Sequence, residues 1–167
     1  MKKSCTVFLA ICFLSLSSFA ASGSSLSYDL SGGSGSRDGE TYSEIHLGLN
    51  WFVQDWLNWR NSIFTQFGTE INTVYGLDSA ALFNVDAYTS NRALGVELYA
   101  GPGVRVATEK SNAVFGKAGI TFALGGLRIG GGVQANHYLE DRTDKNNRVL
   151  GKDETQYFIV LSGGGVL

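Results

Sequence analysis

Of its 167 residues the chain spends one on proline and two on cysteine, Cys5 and Cys12, both in the N-terminal segment MKKSCTVFLAICFLSLSSFAAS. That segment has a basic start at Lys2 and Lys3, a short apolar stretch from about Thr6 to Leu16, and small residues around Ser18 and Ala20. It reads as a secretory signal peptide cut after Ala20, so residues 1–20 are expected to leave and residues 21–167 to form one domain of the mature protein. A retained membrane helix would need a longer apolar run or a stop-transfer pattern. Leu9-Ala10-Ile11-Cys12 has the outline of a lipoprotein box, but Ile11 is too large for the position before the cysteine. With both cysteines gone, disulfides, thiolate zinc sites and cysteine nucleophiles are excluded together. After residue 22 no stretch approaches the 18 apolar residues of a membrane helix. Basic excess is missing too: 11 Lys and Arg face 15 Asp and Glu once Lys2 and Lys3 are removed. A net charge of −4 gives nucleic acid no basic footprint, so no nucleic-acid partner is expected. The two histidines, His46 and His137, are too few for a zinc or redox centre, and no metal or other cofactor is expected.

Glycine is what the sequence has in excess. All 22 glycines lie at or after Gly23, about 15% of the mature chain against an average of roughly 7%. Such a glycine share is unusual for an α/β enzyme of this size, and the aromatic content of 12% and apolar content of 44% exclude disorder. The patterning is of period two. From Glu44 to Val53 one parity reads Ile45, Leu47, Leu49, Trp51, Val53 and the other Glu44, His46, Gly48, Asn50, Phe52, a strand with two unlike faces. The same alternation runs over Leu57–Phe67, Leu94–Val106, Ala113–Leu124 and Leu127–Leu139, more weakly over Leu26–Gly32 and Tyr75–Val85, and ends in Gln156–Leu167. Eight strands are predicted. Three connections are candidates for inner turns: Gln54-Asp55-Trp56, Asp86–Arg92 and the glycine pair Gly125-Gly126, which suits a two-residue hairpin. Four alternate with them as outer loops: Gly33–Ser43, Gly68–Val74, Ala107–Asn112 and the 16 residues Glu140–Thr155. Short turns on one side and long loops on the other is the asymmetry of an outer-membrane barrel.

Cost decides which face meets lipid. The apolar parities carry no charge, while Asp29, Glu44, Arg60, Asp78, Glu97, Arg105, Lys117 and Arg128 share the other parity, four acidic and four basic. A Lys or Arg facing lipid costs roughly 2–4 kcal/mol at the membrane centre. The charged parity also holds Gly48, Gly95, Gly101, Gly103, Gly119, Gly130 and Gly132. An eight-stranded barrel has an interior just wide enough for side chains to fill, so glycine beside balanced charges points inward. Aromatics gather at strand ends: Trp51, Trp56, Trp59, Phe83 and Phe122 toward the short turns, Phe67, Tyr75 and Tyr157 toward the loops, as interfacial belts do.

The hairpin LGLNWFVQDWLNWRNSI, the strand ALGVELYAGPGVRVA, the hairpin AGITFALGGLRIGGGVQA and the final strand YFIVLSGGGVL together resemble the small eight-stranded outer-membrane β-barrels of Gram-negative bacteria, the OmpA-type and OmpX-type families. The resemblance covers the mature chain. It implies an all-β, eight-stranded antiparallel up-and-down transmembrane barrel, exported through the Sec pathway, handled by periplasmic chaperones and the barrel-assembly machinery, and surrounded by outer-membrane lipids including lipopolysaccharide. In these families the last strand carries an assembly signal that commonly ends in an aromatic residue; here it ends in Leu167, with Gly163 and Gly165 interrupting the apolar parity.

Some barrels of this class modify lipid A. The deacylase-like pattern of His, any residue, Ser is absent, since His46 is followed by Leu47-Gly48 and His137 by Tyr138-Leu139. A palmitoyltransferase-like trio of His46, Asp78 and Ser79 is formally available, but adjacent strand residues point to opposite faces. His46 is expected beside Glu44 in the lumen, and no catalytic residue is assigned. The loop EDRTDKNNRVLGKDET matches no calcium-loop spacing and reads as a solvated charged loop. The clusters GSGSRDG and GGLRIGGGV lack a strand, loop and helix context for nucleotide binding. The sequence thus predicts a non-enzymatic barrel closed by an ionic network that includes Glu97, Arg105, Arg60, Lys117 and Arg128. It would act through its outer loops, chiefly residues 140–155, in surface contact, adhesion or envelope integrity. A narrow pore is the second reading and a soluble lipocalin-like barrel the third.

Overall fold

The computed structural model describes residues 25–37, 39–90, 94–124 and 127–163. The expected signal peptide, the Gly125-Gly126 turn and the chain end from 164 to Leu167 lie outside the described residues. The strands are β1 (Ser25–Arg37), β2 (Glu40–Gln54), β3 (Leu57–Phe67), β4 (Val74–Tyr88), β5 (Leu94–Ala107), β6 (Ala113–Leu124), β7 (Leu127–Tyr138) and β8 (Asp153–Gly163). Each pairs antiparallel with its sequence neighbours, and β8 returns to β1, closing an all-β, up-and-down barrel. Following paired residues around the barrel from Ser25 returns to β1 at Gly35, a stagger of ten residues. With that stagger over eight strands, the usual rise and spacing tilt the strands by roughly 40°. The shortest strands, 11 residues each, then span about 28 Å along the axis, enough for an apolar band of about 25 Å.

The two parities separate as the alternation predicts. On β2, Tyr42, Glu44, His46, Gly48 and Asn50 turn inward while Ile45, Leu47 and Leu49 turn outward. All eight charged positions of the inward parity enter the lumen: Asp29, Glu44, Arg60, Asp78, Arg105 and Lys117 are buried, and Glu97 and Arg128 half-buried at the turn end. Outward aromatics ring both rims. Trp51 stacks on Trp59 and Trp56 on Phe83, each with ring centres 6.0 Å apart, and Tyr75 and Tyr157 stand exposed at the loop end. Trp51 is the exception to outward exposure, being covered.

Three boundaries differ from the sequence reading. The first outer connection is no 11-residue loop: β1 and β2 pair as far as Arg37 and Glu40, with Gly39 in the turn at φ +89°. Above the apolar band both faces of a strand are polar, so the alternation that marks a strand fades although the hydrogen-bond ladder continues. For the same reason β4 runs to Tyr88 and β8 begins at Asp153. The apolar inward residues of β8, Phe158 and Val160, are buried in the lumen.

Candidate functional site in the lumen and at the outer mouth

The lumen is filled by polar groups in layers, each set by strand register. At the turn end, Arg128 Nη2 lies 3.1 Å from Glu97 Oε1, the Tyr88 hydroxyl donates to the same carboxylate, and Thr121 donates to its second oxygen at 3.3 Å. Above it Arg60 grips Asp29 with two parallel bonds, Nε to Oδ2 at 2.9 Å and Nη2 to Oδ1 at 2.6 Å, and Asn50 Nδ2 donates to Oδ2 at 2.6 Å. Gly48, opposite both Asp29 and Ser62 in register, makes that grip possible: a Cβ there would stand 2.7 Å from the Asp29 oxygens. Other inward glycines leave room for rings, Gly103 for Phe115 and Gly119 for Tyr99.

The third layer is centred on Arg105, paired in register with Asp78. Its Nε and Nη2 donate to Asp78 at 2.8 Å each, and Nη1 and Nη2 donate to Glu44 at 3.2 and 2.6 Å. The guanidinium lies 4.0 Å from the Phe64 ring centre, and Phe64 stacks on His46. His46 Nε2 sits 2.5 Å from Glu44 Oε1, and its Nδ1 is 3.3 Å from Ser62 Oγ. Glu44 and His46 share a face because they are two apart on one strand.

Two kinds of chemistry can be tested on this layer. Glu44, His46 and Asp78 offer three ligand atoms within 4.8 Å of one another, the grouping a cation would need. All four carboxylate oxygens already accept from Arg105, so the guanidinium occupies the cation's place. For catalysis, the structure does bring His46 within 3.8 Å of Asp78, but Ser79 turns to the outer surface, where its hydroxyl accepts from Trp59 Nε1 at 2.9 Å. The hydroxyl that meets His46 is Ser62, which the sequence reading did not single out. Ser62, His46 and Glu44 are ordered like a nucleophile, base and orienting carboxylate, yet all three are buried and Ser62 accepts from Arg60 Nη1 at 3.2 Å. The chamber at the turn end of the lumen is lined by neither Ser62 nor His46.

The outer mouth is covered by the last loop. The expectation of a solvated charged loop holds for Glu140, Asp141, Lys145, Arg148, Lys152 and Asp153, which are exposed, and fails at Arg142 and Asp144, which are 2% and 3% exposed. Arg142 enters the mouth with its guanidinium over the Tyr138 ring, donating to Gly151 O at 2.9 Å and reaching Glu154 at 3.4 Å, while Tyr42 donates to Glu154 from the other side. Beyond it the loop folds back on itself through a Thr143–Val149 bridge with Asn147 at φ +60°. Lys145 Nζ then donates to the Gly68 and Thr69 carbonyls, and Asn146 to Glu70. The β-branched pair around Asn146-Asn147 was the signal for this small hairpin. The loop's acids are engaged one by one: Glu140 by Asn112, Asp141 by Lys152, Asp144 by Arg148, Asp153 by His137, Glu154 by Arg142. They do not converge on a calcium site.

The ionic network is therefore real but not single. Glu97 and Arg105, though on one strand, belong to different layers, and Lys117 enters the lumen without an ion pair among the described residues.

No family model matches the chain, and no curated protein sequence matches it. The fold resembles that of Neisserial surface protein A. Its crystal structure superposes with a TM-score of 0.60 over 86% of this chain and 98% of that one, at 10% sequence identity. At that identity the likeness is one of fold.

Proposed function

We propose that the protein is an integral outer-membrane β-barrel without enzymatic activity, a scaffold with a filled lumen that acts through its outer loops. One observation carries this reading: the polarity of the barrel is inverted relative to a soluble protein. Thirty large apolar side chains among the described residues are exposed, Leu47 at 55% and Ile159 at 73% among them, while seven charged strand residues are buried inside. Soluble monomers rarely expose a contiguous apolar patch beyond a few hundred Å². A closed barrel is also one of the two backbone forms a bilayer admits, since every strand is paired and no edge is left.

On this reading residues 1–20 direct Sec export, chaperones and the assembly machinery insert the barrel, and lipids including lipopolysaccharide cover its outward face. The variable surface is the loop end, led by residues 140–155, which would meet an extracellular ligand or neighbouring envelope components. The structural neighbour is, by its name, a surface protein. Fractionation of the host envelope tests the location: the protein should stay with the membrane after salt and alkali, and its gel mobility should change on boiling. Release by alkali without detergent would move the assignment to a soluble lipocalin-like barrel. Planar-bilayer recording tests the filled lumen; steady conducting steps would replace the scaffold with a narrow pore.

A further inference from the structure

The turn end of the lumen holds a chamber of about 50 Å³ between the Arg128–Glu97 layer and the Arg60–Asp29 layer, lined among others by Ser27, Asn58, Tyr99 and Lys117. By size it takes roughly three or four waters, or one halide-sized ion with a water or two. The carboxylates that line it are committed. Both oxygens of Asp29 accept from Arg60, and one also from Asn50; both oxygens of Glu97 are taken by Tyr88, Arg128 and Thr121. The cations divide differently. Arg60 and Arg128 are each spent on one of those carboxylates, but Lys117, 5% exposed, has no hydrogen bond and no ion pair among the described residues, only the face of Phe158 at 4.3 Å. The Ser27 hydroxyl, also buried, has no partner among them either.

The chamber walls thus carry two negative and three positive groups, a net positive charge, and the groups left unused among the described residues are the Lys117 ammonium, the Ser27 hydroxyl and the Asn58 amide oxygen. A buried ammonium lacking a counter-charge is costly, and an anion of matching size removes that cost. We propose that this chamber is a binding site for a small monovalent anion of halide size, held by the Lys117 ammonium with the Ser27 hydroxyl as a further donor. The ion enters from the turn end, where the Arg128 and Glu97 side chains are 27% and 17% exposed. The inference stands on the fold alone and does not depend on where the barrel resides.

Bromide serves as the probe, since it diffracts anomalously and substitutes for chloride. Crystals of the full mature barrel soaked in bromide should show an anomalous peak beside Lys117 Nζ. In solution, exchanging gluconate for chloride at constant ionic strength should raise the urea unfolding midpoint. Lys117→Met should lose both the peak and the chloride response. Ser27→Ala should weaken the response while leaving Lys117 in place, and serves if the methionine variant does not fold. No peak and no chloride shift in the wild type would overturn the proposal. So would a peak that persists in Lys117→Met, which marks an adventitious ion only, or displacement of bromide by equimolar sulfate, which marks a site for larger dianions.

Discussion

Replacing Arg105 by methionine isolates the energetic logic of the lumen. The guanidinium donates four hydrogen bonds to two buried carboxylates and covers the face of Phe64. Charge-assisted bonds contribute about 1.5–3 kcal/mol each when counted singly. Their sum overstates the loss, because Nη2 is shared between Glu44 and Asp78 and methionine keeps much of the packing on Phe64. What dominates is the state left behind, two carboxylates facing each other in a closed layer without a cation, and removing one partner of a buried pair costs about 3–5 kcal/mol. Arg105→Met should therefore destabilise the refolded barrel by about 3–5 kcal/mol. Adding Glu44→Gln and Asp78→Asn, which discharge the orphaned acids, should recover most of that. Urea titration of the detergent-folded protein, followed by fluorescence of Trp51, Trp56 and Trp59 and by gel mobility, measures both. A single variant within about 1 kcal/mol of wild type would refute the reasoning, since surface changes alone produce shifts of that order. A triple variant no better than the single one would show that Arg105 acts by shape and not by charge.

Three other perturbations separate the remaining claims. Leu47, outward between its register partners Leu30 and Ile63, should cost roughly 2–4 kcal/mol as lysine when the barrel folds into vesicles, whereas Tyr157→Lys at the outer rim should cost about 0–1 kcal/mol; equal tolerance of both would contradict a lipid-facing surface. Gly48→Ala should destabilise by about 1–3 kcal/mol, because its Cβ would meet the Asp29–Arg60 pair, while Gly116→Ala on the open outer face stays within about 0.5 kcal/mol of wild type, both read by the same urea titration. Burial pushes the Asp144 carboxyl up, but the Arg148 backbone N–H and guanidinium and the Asn146 N–H outweigh it and hold it below its ordinary value. A depressed carboxyl stabilises the folded loop above its unfolded value near 3.9, and that stabilisation disappears as pH falls through the lower folded value. Protection of the Asn146 and Arg148 amides, taken relative to intrinsic exchange at each pH, should accordingly be high at neutral pH and fall only below about pH 4, and Asp144→Asn should show low protection at all pH values.

The barrel was legible in the sequence because a closed barrel with a polar interior and an apolar exterior imposes period two on every strand. The inward parity of Asp29, Glu44, Arg60, Asp78, Arg105 and Lys117 follows from alternation alone. Alternation says nothing of height along the axis, however, and height decides which charges meet. Arg105 reaches Asp78 and Glu44 because the stagger of ten residues brings those strands to the same level, and Glu97 on its own strand lies a layer below. The same stagger leaves Lys117 without a carboxylate partner among the described residues, a fact hidden in a tally of four acids against four bases. Outside the apolar band the signal fails for another reason: at Gly33–Arg37 and in residues 140–152 both faces are polar, so neither the extended ladder nor the buried Arg142 leaves a mark in hydropathy.

The layers bear on conduction more directly than the width of the barrel does. An ion crossing from the outer side meets first Arg142, seated on Tyr138 and reaching Glu154, with the loop above it tied to the Gly68, Thr69 and Glu70 positions. Displacing one guanidinium does not open the path, since Arg105 closes the next layer with bonds to two strands and Arg60 the one below with a bidentate grip on a third. These closures are stacked in series and bridge different strands, with Ser62 and His46 tying the Arg60 layer to the Arg105 layer. Breaking a buried pair costs about 3–5 kcal/mol, and an open path needs both layers to break together. The stacked layers thus support the proposed filled lumen, and Arg142→Ala alone should leave planar bilayers silent. Steady conductance in that variant would mean that the outer guanidinium was the only barrier and that the two layers beneath it open freely.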